Sequence, residues 1–139
     1  MKSRKEEIAV SLAISLTALF IFLNGCATMP READMKETLK GAAEKYWKLR
    51  MEDKYEEAYR LEDSEGLPPF EDYRNRAGRI KKISMVSHSI GEVTTEGNKG
   101  KVRVRFRFVA PNVQKPLTDF ILDEWVFKGG EWLHKFPLN

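Results

Sequence analysis

The sequence predicts an α+β domain in which N-terminal helices pack on a curved antiparallel sheet of about four strands, giving a cone-like shape. Apolar residues recur at three- and four-residue spacing up to about residue 77, and from about residue 80 they alternate with polar residues at a period of two. Turn-forming residues separate the alternating segments, so consecutive strands are expected to pair as neighbours. Helices followed by antiparallel strands is the order typical of an α+β fold.

A charged start and an uncharged apolar stretch precede this domain. Residues 1–5 contain three cations, and residues 8–23 contain no charged side chain. As a helix, this stretch would be about 24 Å long, which is shorter than the ~30 Å hydrocarbon core of a bilayer. Its size and charge order are typical of a signal peptide. The alternative is an uncleaved membrane anchor.

The apolar stretch ends at Leu23-Asn24-Gly25-Cys26. This segment resembles the lipobox of bacterial lipoprotein precursors, which has an aliphatic residue, two small residues and then cysteine. Asn24 departs from the pattern, because that position is commonly Ser, Ala or Thr. The resemblance implies cleavage between Gly25 and Cys26, diacylglycerol on the Cys26 sulfur and often acylation of the new amino terminus. Two or more acyl chains would hold the protein stably at a membrane.

This resemblance divides the chain into a signal peptide at residues 1–25, a lipidated cysteine with a short tether at residues 26–33, and a domain at residues 34–139. The implied location is the cell envelope. Ala27 stands where an aspartate would signal inner-membrane retention, so a Gram-negative source would imply the periplasmic face of the outer membrane. The expected partners are the membrane, through the lipid, and either a second copy of the chain or another envelope protein.

Charge and composition indicate which classes of ligand the domain is expected not to bind. The 139-residue chain has a net charge of +3, and without residues 1–25 it has 21 basic and 19 acidic side chains, a net of +2. Such a near balance predicts no nucleic-acid binding. His88 and His134 are the only histidines, and the single cysteine forms no metal-ligand spacing with them. We therefore expect no metal and no cofactor.

Three helices are predicted, at about residues 35–50, 54–61 and 70–77. Asp34 is the expected N-cap of the first, with Glu37 at the capping-box position, and Asp53 repeats this pattern for the second. Pro69 opens the third helix, and Gly78 stops it. Their predicted inward faces contain Met35, Leu39, Ala42, Ala43, Tyr46, Trp47, Arg50, Tyr55, Ala58, Tyr59, Leu61, Phe70, Tyr73 and Ala77.

Four strands are predicted, at residues 80–93, 101–109, 117–127 and 131–136. The expected connections are a hairpin turn at residues 96–100, a loop at residues 111–116 and a hairpin at Gly129-Gly130. The second strand alternates most strictly. One face carries Val102, Val104, Phe106 and Phe108, and the other carries Arg103, Arg105 and Arg107.

The element order and a weak residue pattern resemble the nuclear transport factor 2-like superfamily. The resemblance rests on the helix pair at residues 40–61 with Tyr46-Trp47, on Asp-Lys-Tyr-Glu-Glu-Ala-Tyr at residues 53–59, and on the hairpin at residues 124–132. It covers about residues 34–136 and implies a cone-shaped fold. A cystatin-like helix-and-sheet domain is the alternative. The superfamily includes ketosteroid isomerases, scytalone dehydratases and many non-catalytic binding domains, so the fold does not decide the function.

An isomerase of that type needs a carboxylate base and an oxyanion hole in an apolar pocket. Tyr46 is a candidate donor, and Asp119 and Asp123 are candidate acids. Neither face of their strand is cleanly apolar, so we expect both acids to pair with the three arginines of the preceding strand. The sequence therefore predicts no catalytic residues.

His134 shares a strand face with Trp132 and Phe136 near the end of the chain. A pocket histidine can serve as a general base. No orienting acid or nucleophile can be identified beside it in the sequence, so we expect a structural hydrogen-bonding role.

Two binding surfaces remain as expectations. A cavity in the cone would be lined by Tyr46, Tyr59, Trp125 and His134, although aromatic residues are needed simply to fill the core of a small domain. Arg103, Arg105 and Arg107 form a basic face that either contacts an anionic lipid, cell-wall polymer or acidic partner, or is only a solvated sheet face.

The expected function is that of a membrane-anchored envelope lipoprotein with a non-enzymatic domain. This domain would bind a protein partner, itself or an envelope component, with the outer face of the sheet as the contact surface. The first alternative is a module that binds a small apolar or amphipathic ligand in the cone. An isomerase- or dehydratase-type enzyme is a more distant alternative.

Overall fold

The computed structural model describes residues 31–79 and 84–137. The predicted signal peptide and Cys26 lie outside these residues, as do residues 80–83 of the first predicted strand. The described residues form α1 (Glu32–Met51), α2 (Tyr55–Tyr59), α3 (Phe70–Arg79), β1 (Ser84–Glu96), β2 (Lys99–Val109), β3 (Leu117–Lys128) and β4 (Glu131–His134). The predicted α+β class, with helices before strands, is confirmed.

The strands of the described residues form one open antiparallel sheet in chain order, β1-β2-β3-β4. β1 and β2 join through Gly97-Asn98, where Gly97 has a φ of 57°. β3 and β4 join through Gly129-Gly130, with φ values of 61° and 89°. Positive φ at both central residues, as at Gly129-Gly130, is what a type I′ hairpin turn requires, and a glycine with positive φ at the first central position, as at Gly97, is typical of type II′. Both predicted hairpins are confirmed.

The helix starts differ from the capping predictions. Arg31 is the N-cap of α1 and Lys54 that of α2, and neither makes a side-chain capping hydrogen bond. Asp34 instead lies in the first turn of α1, where its charge is favourable beside the positive end of the helix dipole. Asp53 precedes α2 with a φ of 61°. The predicted caps at Asp34 and Asp53 are therefore wrong.

The predicted start of α3 is confirmed. The Pro69 carbonyl accepts a hydrogen bond from the Tyr73 backbone N–H at 3.0 Å, which closes the first turn. The helix continues to Arg79, one residue beyond the predicted stop at Gly78.

The helices cover one face of the sheet, which we call the inner face. Val102 and Val104 are fully buried there, and Trp47 of α1 meets Phe106 with ring centroids 4.8 Å apart. The predicted inward face of β2 is confirmed, although Phe108 is only half-buried. Burying each such side chain contributes roughly 1.5–3 kcal/mol. The core contains Met35, Leu39, Ala43, Tyr46, Trp47, Leu49, Ala58, Tyr73, Ala77, Val102, Val104, Phe106, Trp125 and Trp132.

Candidate functional site

A set of polar side chains is buried inside this core. Tyr46 and Arg50 lie one turn apart on α1, so they project from the same side of the helix. Asp123 lies on β3 and His134 ends β4. Glu62 follows α2, and two backbone hydrogen bonds hold its segment beside His134. The Asp63 N–H donates to the His134 carbonyl, and the His134 N–H donates to the Leu61 carbonyl.

These side chains form a continuous network of hydrogen bonds and ion pairs. Arg50 Nη1 donates to the Tyr46 hydroxyl, which donates to Glu62 Oε1, and both distances are 2.6 Å. Glu62 Oε2 lies 2.7 Å from His134 Nδ1, and His134 Nε2 lies 3.5 Å from Asp123 Oδ1. Trp47 Nε1 donates to Asp123 Oδ2 at 2.5 Å. The network ties α1 to β3, β4 and the segment after α2.

His134 is held in its charged form by this arrangement. Burial by itself lowers the pKa of His134, but its hydrogen bonds to Asp123 and Glu62 outweigh burial and raise the pKa to about 9. Both ring N–H groups then face carboxylates, and an imidazolium has no free lone pair to accept a proton. In this arrangement His134 forms ion pairs with Glu62 and Asp123.

The two buried tyrosines stay protonated. Burial raises the pKa of Tyr46 well above its ordinary value and raises that of Tyr73 to about 12. A neutral Tyr46 can donate to Glu62 while accepting from Arg50, which is the orientation that the network requires.

A cleft of about 460 Å³ opens beside the network on the inner side of the sheet. We call it the Arg50 cleft, and it is bounded by the end of α1, the last turns of α3, β3 and the segment after β4. The lining residues are Trp47, Arg50, Arg76, Ala77, Arg79, Ile121, Asp123, His134, Phe136 and Pro137.

The four predicted cavity residues are not all brought together. The rings of Tyr46 and His134 stack with centroids 4.3 Å apart, and Trp125 meets His134 edge-on at 5.1 Å. Tyr59 lies apart from them, packed against Tyr73 and donating its hydroxyl proton to the Pro68 carbonyl. Of the four, only His134 lines the Arg50 cleft.

The predicted pairing of Asp119 and Asp123 with the arginines is wrong. Asp123 lies opposite Val102 and Asp119 opposite Phe106, so both share the inner face. Directly opposed residues point to the same side of a sheet, and a shift of one position reverses the side. Asp123 is buried at Trp47 and His134, whereas Asp119 is exposed and accepts a hydrogen bond from the next backbone N–H.

On β3, apolar side chains lie opposite Arg103 and Arg105, and Thr118 lies opposite Arg107, while β1 places Ser89 and Ser87 opposite Arg105 and Arg107. Phe120 pairs with Arg105 and Leu122 with Arg103, and both apolar side chains are exposed, by 57 % and 56 %. The Arg103 guanidinium lies 4.9 Å above the Phe120 ring. Among the described residues, no carboxylate pairs with these arginines within 4.0 Å. We call Arg103, Arg105, Arg107, Phe120 and Leu122 the outer face.

Sequence reasoning assigned two members of the network to no site. Arg50 was placed on the inward stripe of α1, and its burial is confirmed, but it was given no functional role. Glu62 carries no local signal, because only its backbone bridge to His134 brings it into the core. Asp123 was named, but the mixed composition of its strand placed it on the wrong face.

Within residues 31–79 and 84–137, no cluster of His, Cys, Asp and Glu side chains has the arrangement needed to hold a metal ion. In the same part of the chain, no helix is both long and apolar enough to cross a membrane.

Comparison with known proteins supports the fold only. No protein-family model matches the chain, and no curated protein does. Among solved structures, it is similar to the solution structure of a SEC-C motif-containing protein from Rhodopseudomonas palustris, with a TM-score of 0.51 and 12 % identity over 65 % of this chain and 69 % of that one. At this identity, the likeness concerns the arrangement of helices and strands.

Proposed function

We propose that this protein is a lipid-anchored envelope lipoprotein whose domain makes non-enzymatic contacts with an envelope partner through its outer face. We also propose that the domain is nuclear transport factor 2-like. Helices packed on one side of an open antiparallel sheet are compatible with that superfamily.

The lipobox-like segment supports the anchoring. Cys26 is the only cysteine, and α1 begins at Glu32. Residues 27–31 span at most about 17 Å when fully extended. A lipid on Cys26 would therefore keep the domain close to the membrane surface.

The composition of the outer face carries the proposal of a contact surface. Three arginines on β2 lie beside Phe120 and Leu122, which expose more than half of their side-chain surface. Aromatic residues and arginine are enriched where proteins meet partners, because they combine apolar area with directional hydrogen bonds.

The buried network supports a non-enzymatic role. The two ring nitrogens of His134 contact Glu62 and Asp123. The Tyr46 hydroxyl accepts a hydrogen bond from Arg50 and donates one to Glu62. These contacts join four segments of the chain, which is a stabilising role.

Replacement of Cys26 by serine tests the anchoring. We expect Cys26→Ser to abolish labelling by a fatty-acid analogue and to leave an unprocessed precursor, because a hydroxyl cannot replace the thiol that is modified. Gel mobility and mass spectrometry of protein from the expressing cells measure both effects. Ala27→Ser, one position away, is the control and should be labelled normally. Normal processing of Cys26→Ser would contradict the proposal.

A further inference from the structure

We propose that the Arg50 cleft binds a small organic anion with an apolar body, such as a carboxylate on a short aliphatic chain. This site lies on the inner side of the sheet, away from the outer face. The inference goes beyond the proposed function and does not depend on lipid anchoring.

Arg50 is the central observation. It is only 9 % exposed, and no carboxylate of the described residues lies within 4.0 Å of its guanidinium. Its hydrogen bonds go to the neutral Tyr46 hydroxyl and, at 3.3 Å, to the Ala77 carbonyl. A guanidinium has five N–H groups, so three of them have no acceptor among the described residues.

The surroundings of Arg50 leave the cleft as the place for an acceptor. The rings of Tyr46, Trp47 and Tyr73 lie 5.3–5.7 Å from its guanidinium carbon. Such rings favour a nearby cation but cannot accept a directed, bidentate pair of hydrogen bonds as a carboxylate does. Buried charges in proteins are normally paired, and a bound anion would supply the missing partner.

The remaining charges of the cleft also favour an anion. Arg76 and Arg79 lie at its rim on the exposed side of α3. Asp123 is the one carboxylate of the lining, and it is already held by Trp47 and His134. The lining therefore carries three arginines, while its one acid, Asp123, is paired with His134.

The rest of the lining is apolar. Trp47, Ile121 and Phe136 contribute hydrophobic surface, and Ile121 is 38 % exposed although it lies on the inner face. An aliphatic or aromatic ligand body would cover that surface. A volume of about 460 Å³ lies within the range of small-molecule sites.

Octanoate is a suitable probe, with octan-1-ol as its neutral counterpart of equal chain length. We expect calorimetric titration of the full-length protein in lipid nanodiscs, corrected with protein-free nanodiscs, to show saturable octanoate binding. Affinity for octanoate should exceed that for octan-1-ol by about tenfold or more, because only the anion can pair with Arg50.

A matched pair of variants on β3 locates the site. Ile121→Glu places a carboxylate in the cleft and should weaken octanoate binding by about tenfold or more. Leu122→Glu adds the same charge one position away on the outer face and should leave the affinity within about twofold. Both positions are exposed, so both variants are expected to fold.

Arg50→Met tests the buried cation itself and should also weaken binding by about tenfold or more. If this variant does not fold, Arg76→Gln combined with Arg79→Gln replaces it and should weaken binding severalfold. Equal affinity for octan-1-ol, equal effects of Ile121→Glu and Leu122→Glu, or no saturable octanoate binding at millimolar concentration would each overturn the proposal.

Discussion

At the scale of single residues, the fold determines the ionisation of His134. The imidazolium lies between Glu62 and Asp123, and these carboxylates outweigh the effect of burial on its pKa. His134 contacts both carboxylates directly, whereas Arg50 reaches Glu62 only through the Tyr46 hydroxyl. Removing one partner of such a buried ion pair leaves an uncompensated charge and is strongly destabilising.

This ionisation predicts how stability depends on pH. The pKa of His134 is raised to about 9 from an ordinary value of 6.5, so the folded state holds the proton more tightly than the unfolded state. Its contribution is complete below about pH 6.5 and is lost as pH rises through about 9. Urea denaturation should show the free energy of unfolding falling over this window, by at most about 3 kcal/mol.

Two histidine variants separate this effect from other titrations. In His134→Gln the decline between pH 6.5 and 9 should be largely removed, because no imidazolium is present. In His88→Gln the decline should persist, since burial lowers the pKa of His88 and its titration falls below the window. A wild-type stability that is flat or rising from pH 6.5 to 9 would contradict the interpretation.

The residue scale also shows why the site was only partly predictable. Tyr46 and His134 could be named from their aromatic surroundings, and Arg50 from its place on an apolar helix stripe. Their main partner could not be named, because Glu62 lies 16 positions from Tyr46 and 72 from His134. Hydrogen bonds between distant segments leave no periodic trace in the sequence.

At the scale of elements, the faces of a strand could be predicted only where apolar and polar residues alternate strictly. β2 alternates cleanly, so its buried and exposed faces were predicted correctly. β3 mixes Asp119 and Asp123 with Ile121 and Trp125 on one face, so periodicity alone could not assign its sides. The register of β3 with β2 determines which residues of β3 face inward, because each residue points to the same side of the sheet as its cross-strand neighbour.

The contact between α1 and β2 depends on a glycine. A Cβ at Gly100 would overlap Leu39 Cδ2 and lie 3.0 Å from the Trp132 ring. We expect Gly100→Ala to lower the free energy of unfolding by about 1–3 kcal/mol, because both neighbours are buried and cannot easily move. Urea unfolding midpoints measure this change.

Gly41 provides the control for the same substitution. It lies in the interior of α1 with nothing within 4 Å of an added Cβ. Gly41→Ala should therefore raise stability by about 0.5–1 kcal/mol through helix propensity alone. Similar effects at both glycines would show that packing against Gly100 is looser than described.

At the scale of the whole molecule, the two faces of the sheet have different properties. The inner face carries the core, the buried network and the Arg50 cleft. The outer face combines three arginines with exposed Phe120 and Leu122. One domain can therefore present a small-ligand site and a larger contact surface without the two competing for space.

Chemical modification of arginine tests whether a partner covers the outer face. In native membranes, we expect phenylglyoxal to modify Arg103, Arg105 and Arg107 severalfold more slowly than in detergent-solubilised protein, because solubilisation removes the partner. Mass spectrometry of peptides measures each rate. Arg60 is exposed at the end of α2 and should react equally in both preparations. Equal rates at all four arginines would contradict a covered outer face.

The sequence by itself determined the α+β class, the order of the elements, the two glycine hairpins and the two sides of β2. These follow from local backbone preferences and from periodicity, which act between neighbours in the chain. Only the tertiary structure decided that Asp123 points inward, that Glu62 is buried and that Arg50 lacks a carboxylate partner. The reason is physical, since burial and charge pairing depend on which distant segments meet across the core.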